Sequence, residues 1–228
     1  MNEQPFLSVL MLTYNHEKFI ADAIKSILMQ KTNFKYEIVI GEDFSLDKTR
    51  SIIKEYQFNY PGTFNLLLHT KNIGANKNQI LTTKACKGKY IAILEGDDYW
   101  TDPYKLQKQV DFLEANSDYI VSYHDAAIVD ELNNKISNSK LPPEFKKDFS
   151  SDELKHGAWI LTLSMCFRNI IKEFPAEFIK VYNGDRFLTS ILGLYGKGKY
   201  LSDIKPAAYR KHSTSNWSSM NAIYSVVK

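Results

Sequence analysis

Glu95, Asp97 and Asp98 fall within four consecutive positions in the stretch LEGDDYWTDP, residues 94–103, directly after the apolar run Tyr90 to Leu94 and before the amphipathic run Tyr104 to Leu113. Carboxylates crowded at the end of a buried strand repel one another and lose hydration, so they cost stability unless a cation or good donors meet them. Hard divalent cations of the Mg²⁺ or Mn²⁺ kind take oxygen ligands. They commonly reach a protein through one or two carboxylates while water and substrate phosphates fill the other positions. The stretch therefore reads as half of a metal site whose other half arrives with a ligand, most simply a nucleoside diphosphate. No histidine–cysteine cluster points to structural zinc. Apart from His212, the histidines lack paired spacing and read as structural or surface groups.

The elements that must position this turn follow from periodicity. Phe6 to Leu12 is an apolar run of strand length ending in Thr13-Tyr14-Asn15-His16, after which Phe19, Ile20, Ala23, Ile24, Ile27 and Leu28 recur at helical spacing. Tyr36 to Ile40 predicts a second strand closed by Gly41-Glu42-Asp43, Asp47 to Tyr60 a helix broken by Pro61-Gly62, Phe64 to His69 a third strand, Asn76 to Cys86 a helix, and Tyr90 to Leu94 a fourth strand. Asp102 and Pro103 are suited to open the next helix. Strands alternating with helices predict an α/β fold, a mainly parallel sheet with helices on both faces. Ligands in such sheets bind beyond the carboxyl ends of the strands. Those ends carry Thr13-Tyr14-Asn15, Glu42-Asp43 and Glu95 to Asp98, which would share one crevice.

After Tyr123 the rhythm loosens through Asn133-Asn134, Lys140 to Lys147 and Ser150-Ser151, which predicts a long mobile connection. Structure is expected to resume over 157–167, with a helix over Arg186 to Leu194, a short strand over Lys199 to Leu201, and a polar segment over 209–215.

The chain has 228 residues, enough for one domain with a real core. Its net charge of +3 is too mild and too scattered to imply nucleic acid. Cys86 and Cys166 form no CxxC pair and read as reduced, buried thiols. Neither a signal sequence nor an apolar run of membrane-span length is visible, so a cytoplasmic protein is expected, with attachment at the inner face of a membrane left open.

Four blocks together carry a resemblance: Ser8 to Asn15, Glu37 to Asp43 with Ser45-Leu46-Asp47-Lys48-Thr49, Asn72 to Asn78, and Leu94 to Asp98. In this order, over roughly residues 6–125, the chain resembles a family 2 glycosyltransferase of the GT-A fold. The resemblance implies one domain over 1–228, with a nucleotide-sugar-binding half at about 6–125 and an acceptor-side half and tail at about 126–228. It implies a metal-dependent, inverting hexosyl transfer from a nucleoside diphosphate sugar, a UDP-sugar foremost, to a saccharide or lipid-linked acceptor in bacterial surface polysaccharide or glycolipid synthesis.

Carried over by position, Thr13 and Tyr14, with Asn15 beside them, would line the base and ribose, and Asp43 would accept hydrogen bonds from either. Lys77 would lie near the diphosphate and Asp97 near the ribose, while Asp98 would bind Mg²⁺ or Mn²⁺. Glu42 and Glu95 stand where the family more often has aspartate. Asp185, in Asn183-Gly184-Asp185-Arg186-Phe187, would be the general base, its alternative being a helix cap. His212 would reach the metal or the diphosphate. Arg210 and Lys211 would neutralise phosphate or be solvated, and Tyr99 and Trp100 would pack or stack on a sugar. Two other readings are a nucleotidyltransferase, which would want a Gly-rich phosphate loop after the first strand, and a non-catalytic sugar-nucleotide sensor.

Overall fold

The computed structural model describes residues 4–213. The tail beyond Ser213, including the end of the predicted polar segment, and the first three residues lie outside this range. The first half follows the predicted rhythm: β1 (Leu7–Thr13), α1 (Ile20–Leu28), β2 (Tyr36–Glu42), α2 (Thr49–Asn59), β3 (Phe64–Leu68), α3 (Ala75–Ala85), β4 (Tyr90–Ile93) and α4 (Lys105–Ala115). Residues 7–11 of β1 are all buried, as are all four residues of β4, so both faces of the sheet are covered. On α1 the buried Ile20, Ala23, Ile24 and Ile27 make the face that spacing predicts. Asp102 accepts the Tyr104 backbone N–H at 2.9 Å, and regular helix begins only at Lys105.

The second half supplies β5 (Tyr119–Tyr123), β6 (Ala126–Val129), β7 (Lys135–Ser137), α5 (Ser151–Lys155), β8 (Cys166–Arg168), α6 (Gly184–Gly193), β9 (Lys197–Tyr200) and β10 (Ala207–Arg210). Seven strands form the main sheet in the order β3-β2-β1-β4-β8-β5-β9, and β10-β6-β7 form a small second sheet. All pairs of the main sheet are parallel except those of β8, which runs antiparallel to both β4 and β5. No helix among the described residues is long and apolar enough to cross a membrane.

The connection expected to be mobile after Tyr123 is ordered. Buried Asp125 organises it: its Oδ1 accepts N–H groups from Ala126 and Leu141, and its Oδ2 takes the Ser139 hydroxyl at 2.7 Å and the Lys146 ammonium at 2.8 Å. One carboxylate with several donors holds a segment that has no periodic signal. The segment read as polar around Tyr209 is strand β10, paired in parallel with β6.

Trp100 is 2% exposed, donates its indole N–H to the Leu163 carbonyl at 2.8 Å, and carries the Lys105 ammonium 4.1 Å above its ring. It packs rather than facing a ligand, and so links the acidic turn to the segment ahead of β8. Lys105 is fully buried and donates to Gln109 Oε1 at 2.5 Å, and burial pulls its pKa down to about 7. In the unfolded chain a lysine titrates near pH ~10.4, so the unfolded state binds more protons between about pH 7 and 10. This lysine therefore makes stability rise with pH across that window, and its cost is fully present below it. Lys105→Met is expected to stabilise the fold at pH 7 by about 1–3 kcal/mol, with a gain that shrinks by pH 9.5. Urea unfolding at both pH values measures this; a gain independent of pH contradicts it.

Candidate active site

The chain runs from β1 outward through β2 to β3, then returns to the other side of β1 as β4. A crevice opens at such a reversal, between the carboxyl ends of β1 and β4. Pairing continues past β4, with the Leu94 and Gly96 N–H groups donating to the Leu10 and Leu12 carbonyls, each at 3.0 Å. A Cβ on Gly96 would stand 2.6 Å from Thr13 Oγ1 and 2.9 Å from His16 Nδ1, so only glycine lets the acidic turn lie against the end of β1. Asp97 is thereby delivered to the two histidines. Its Oδ2 lies 2.9 Å from His212 Nε2 and 3.8 Å from His16 Nε2.

The predicted nucleotide-side residues gather at the ends of β1 and β2, largely bonded to one another. Thr13 is buried, with Oγ1 3.2 Å from His16 Nδ1. Tyr14 is 40% exposed at the rim, beside Asn15, whose φ of 56° is left-handed. Asn15 ties the two strand ends together, accepting the Leu46 N–H and donating its own to Ser45 Oγ. Asp43 accepts the N–H groups of Ile73 and Gly74 at 2.7 and 3.0 Å, which fastens the β3–α3 loop to the end of β2. Glu42 is fully buried, bound to the Ser45 N–H and paired with Arg50, so it braces the loop from beneath. Lys77 is exposed on the first turn of α3.

The second sheet brings the other wall. At the end of β10, Arg210 is not solvated. It is 1% exposed, stacks on the Phe19 and Tyr99 rings, and donates to the Asp97 carbonyl, the Glu131 carbonyl and Asp22 Oδ2. Its backbone N–H donates to Asp98 Oδ1 at 2.8 Å. The two aspartates thus separate: Asp98 is turned into the strand, and Asp97 faces the imidazoles.

The electrostatics fit a cation. Burial, reinforced by Asp97, pushes the Glu95 carboxyl up to about 8, and Oε2 of Glu95 is buried without a hydrogen-bond partner. Burial, with Asp97 and Glu95 nearby, holds Asp98 well above the usual carboxylate range. Burial also works against ionised Asp97, but His16 and His212 outweigh it and keep that group below its ordinary value. His16 is itself lowered by burial, against the pull of Asp97. Among the described residues no three His, Cys, Asp or Glu side chains form a ready metal cage. An incomplete set, deficient in positive charge, is what a phosphate-bound Mg²⁺ or Mn²⁺ would meet.

Asp185 arrives from the second half, at the second position of α6 behind the boundary residue Asn183. It is not the cap; its Oδ1 accepts the N–H of its neighbour Arg186 at 2.9 Å. Asn76 of α3 donates to the Val181 carbonyl at 2.7 Å, and a Cβ on Gly184 would stand 2.7 Å from Asn76 Oδ1. The start of α6 is therefore seated on α3, and Asp185 adds, after burial and Asp97, to what raises the Glu95 carboxyl. His16 and the clamp role of Arg210 escape sequence reading. The signal available for His16 is its position, three residues past Thr13 at the mouth of the reversal.

Residues 8–174 match the family described as glycosyl transferase family 2. A Mycobacterium tuberculosis (strain H37Rv) protein of uncharacterised function is 34% identical over 216 residues, 93% of this chain and 61% of the relative. Among solved structures, S. aureus TarS 1–349 in complex with UDP-GlcNAc superposes with a TM-score of 0.71 at 21% identity, over 93% of this chain and 60% of that one. The mannosyltransferase PcManGT from Pyrobaculum calidifontis, in complex with GDP-Man and Mn²⁺, does so with a TM-score of 0.69 at 16% identity, over 94% and 59%. At these identities the two structures speak to fold alone, the GT-A fold, and this chain spans about three-fifths of each of the three proteins. With an α/β fold built around that crevice and a match covering most of its length, the chain belongs to glycosyl transferase family 2.

Proposed function

We propose that the chain transfers a sugar from a nucleoside diphosphate sugar, a UDP-sugar in the first instance, to an acceptor hydroxyl with inversion at the anomeric carbon. The observation that carries this reading is that the helix bearing Asp185, from the acceptor-side half, starts against α3 of the donor-side half, with Asn76 donating to the Val181 carbonyl at 2.7 Å and Gly184 close against Asn76. A general base facing a cation-seeking turn is the arrangement a single displacement needs. The structures of TarS with UDP-GlcNAc and of PcManGT with GDP-Man lend support through their common fold.

In this reading Tyr14 and the Asn15–Ser45 junction border the base and ribose, Asp43 keeps the neighbouring loop in place, and Lys77 lies toward the diphosphate. A bound Mg²⁺ or Mn²⁺ supplies the positive charge that the leaving diphosphate requires. Asp97 and His212 would hold it, while Asp98, occupied by the Arg210 N–H, fixes the turn from behind. Asp185 takes the proton of the acceptor hydroxyl as that oxygen bonds the anomeric carbon. The bond from carbon to the diphosphate oxygen breaks, and its electron pair leaves with the nucleoside diphosphate. The acceptor, a saccharide or a lipid-linked saccharide, enters from the side of residues 126–213.

Asp185→Asn is expected to lower kcat by about 10²–10⁴-fold, with UDP affinity in Mn²⁺ changed less than about threefold. Product formation across a sugar-nucleotide panel and calorimetric UDP binding read the two quantities; a variant that keeps its turnover removes Asp185 from the mechanism. The two aspartates separate in a second comparison. Asp97→Asn should weaken Mn²⁺-supported UDP binding by about tenfold or more, whereas Asp98→Asn, which keeps an acceptor for the Arg210 N–H, should leave it within about threefold. The reverse order would return the metal role to Asp98.

A further inference from the structure

Between the connection after Tyr123 and the start of α6 lies an open cavity of about 460 Å³, within the ~300–1,000 Å³ range of small-molecule sites, and no step of the transfer uses it. Its lining includes the rings of Phe145, Phe149 and Trp159 and the charged groups of Glu144, Asp152 and Arg186. The aromatic part is held from behind. Phe145 and Trp159 meet edge to face with ring centroids 5.4 Å apart, and Phe149 stacks on Tyr123 at 5.7 Å. The Tyr123 hydroxyl donates to the Phe145 carbonyl at 2.9 Å, and the Phe149 backbone exchanges two hydrogen bonds of 2.8 Å with Gly198 of β9. Gly157, with a φ of 76°, turns the chain out of α5 toward Trp159, and a Cβ there would stand 3.9 Å from Arg186 Cβ, so this turn lies against α6. Two donors in the lining are unspent. Among the described residues neither the Trp159 indole N–H nor the Arg186 guanidinium has a hydrogen-bond or ion-pair partner, whereas Lys147 and Glu153 beside them pair with each other at 2.6 Å.

Aromatic rings offer a face to apolar C–H surface, carboxylates only accept hydrogen bonds, and a guanidinium only donates them. A sugar ring answers all three, with a C–H face and hydroxyls that both donate and accept. A free phosphate would be drawn by Arg186 but repelled by Glu144 and Asp152 in the same lining, and a lipid tail would meet three charged groups. The place is on the acceptor side. Every lining residue falls within 144–186, whereas the donor crevice lies at the ends of β1 and β4. Arg186 directly follows Asp185 on α6, and consecutive Cα atoms are about 3.8 Å apart, so a sugar held at Arg186 is a close neighbour of one held at Asp185. We infer that this cavity is a subsite for a neutral sugar unit of the acceptor, one beyond the unit that offers its hydroxyl to Asp185, so that the chain recognises an acceptor of at least two sugar units. The inference rests on the transfer reading above and deepens it. Trp159 carries the ring by stacking, and Arg186, Glu144 and Asp152 read its hydroxyls.

The test uses the full chain and a set of neutral probes: glucose, mannose, galactose and N-acetylglucosamine, each as the monosaccharide and as its α- and β-linked di- and trisaccharides. Saturation-transfer nuclear magnetic resonance and quenching of tryptophan fluorescence read binding, and calorimetry reads UDP binding in Mn²⁺ alongside. At least one disaccharide is expected to bind about tenfold or more tightly than its monosaccharide. Trp159→Ala should remove that preference, and Arg186→Ala should weaken the disaccharide by about threefold or more, both leaving UDP affinity within about threefold. Arg186 is exposed, so its variant decides the matter even where Trp159→Ala fails to fold. Equal binding of short and long probes by the native chain, binding of none of them, or displacement of the disaccharide by inorganic phosphate overturns the subsite. Where UDP still binds, that result leaves the donor reading intact; a native chain that also fails to bind UDP overturns both.

Discussion

Everything at this site depends on how three carboxylates can be crowded onto one turn beside the end of β1. Burial alone pushes Glu95 and Asp98 toward their neutral forms and works against ionised Asp97. The fold relieves each differently. Asp98 receives a backbone N–H from β10, Asp97 receives two histidines on its side chain and an arginine on its carbonyl, and Glu95 is left with an unpartnered oxygen. Full neutralisation would make a stable turn with no use for a ligand. Partial neutralisation leaves a site whose remaining deficit is one of positive charge, and a buried polar group in that condition is costly until something meets it. The small sheet β10-β6-β7 is best understood in this light. It adds little to the main core, but it carries Arg210 and the approach to His212 to the far side of the turn.

The rim at the ends of β1 and β2 is rigid for a related reason. The loops after β1 and β2 are laced by Asn15 with Leu46 and Ser45, and by Glu17 with Lys48 and Asp47. Asp43 extends the lacing to the loop after β3 through Ile73 and Gly74. Left-handed backbone at Asn15 and Phe44 is tolerated because these bonds hold it. Such a rim has already lost the conformational freedom that binding would otherwise take from it, so a ligand docking there would meet a preorganised surface.

What the sequence disclosed and what it hid divide along one physical line. Strands and helices through Leu113 were legible because apolar spacing encodes them, and the sheet then fixes which strand ends converge. The acidic turn was singled out by its crowded carboxylates, and Asp185 and His212 by the resemblance alone. Hidden were the partners. Asn15 and Asp43, expected to line a ligand pocket, spend their oxygens on backbone N–H groups of adjacent loops. Asp125 organises the stretch after β5 through contacts with residues 126–146, which no period announces. Arg210 looked like a surface cation, and only the pairing of β10 with β6 shows it entering the core between Phe19 and Tyr99. His16 and Asp97 are far apart in the chain, and their meeting requires Gly96 to bring β4 against β1.

The two glutamates that depart from the family's usual aspartates turn out to be unlike cases. Glu42 is consumed by structure, its carboxylate shared between the Ser45 N–H and Arg50, which in turn donates to the His69 carbonyl. A longer side chain there reaches across the base of the loop, where aspartate would fall short. Glu95 is not consumed. Its extra methylene carries Oε2 into a buried position where nothing bonds it, facing the negative charge of Asp97 first and that of Asp185 next. A carboxyl so placed is raised by burial and by Asp97, with no donor to offset them. The two glutamates therefore differ: Glu42 stiffens the scaffold at the end of β2, and Glu95, in the turn after β4, is left with an unpartnered oxygen. The difference is set by whether a donor stands within reach.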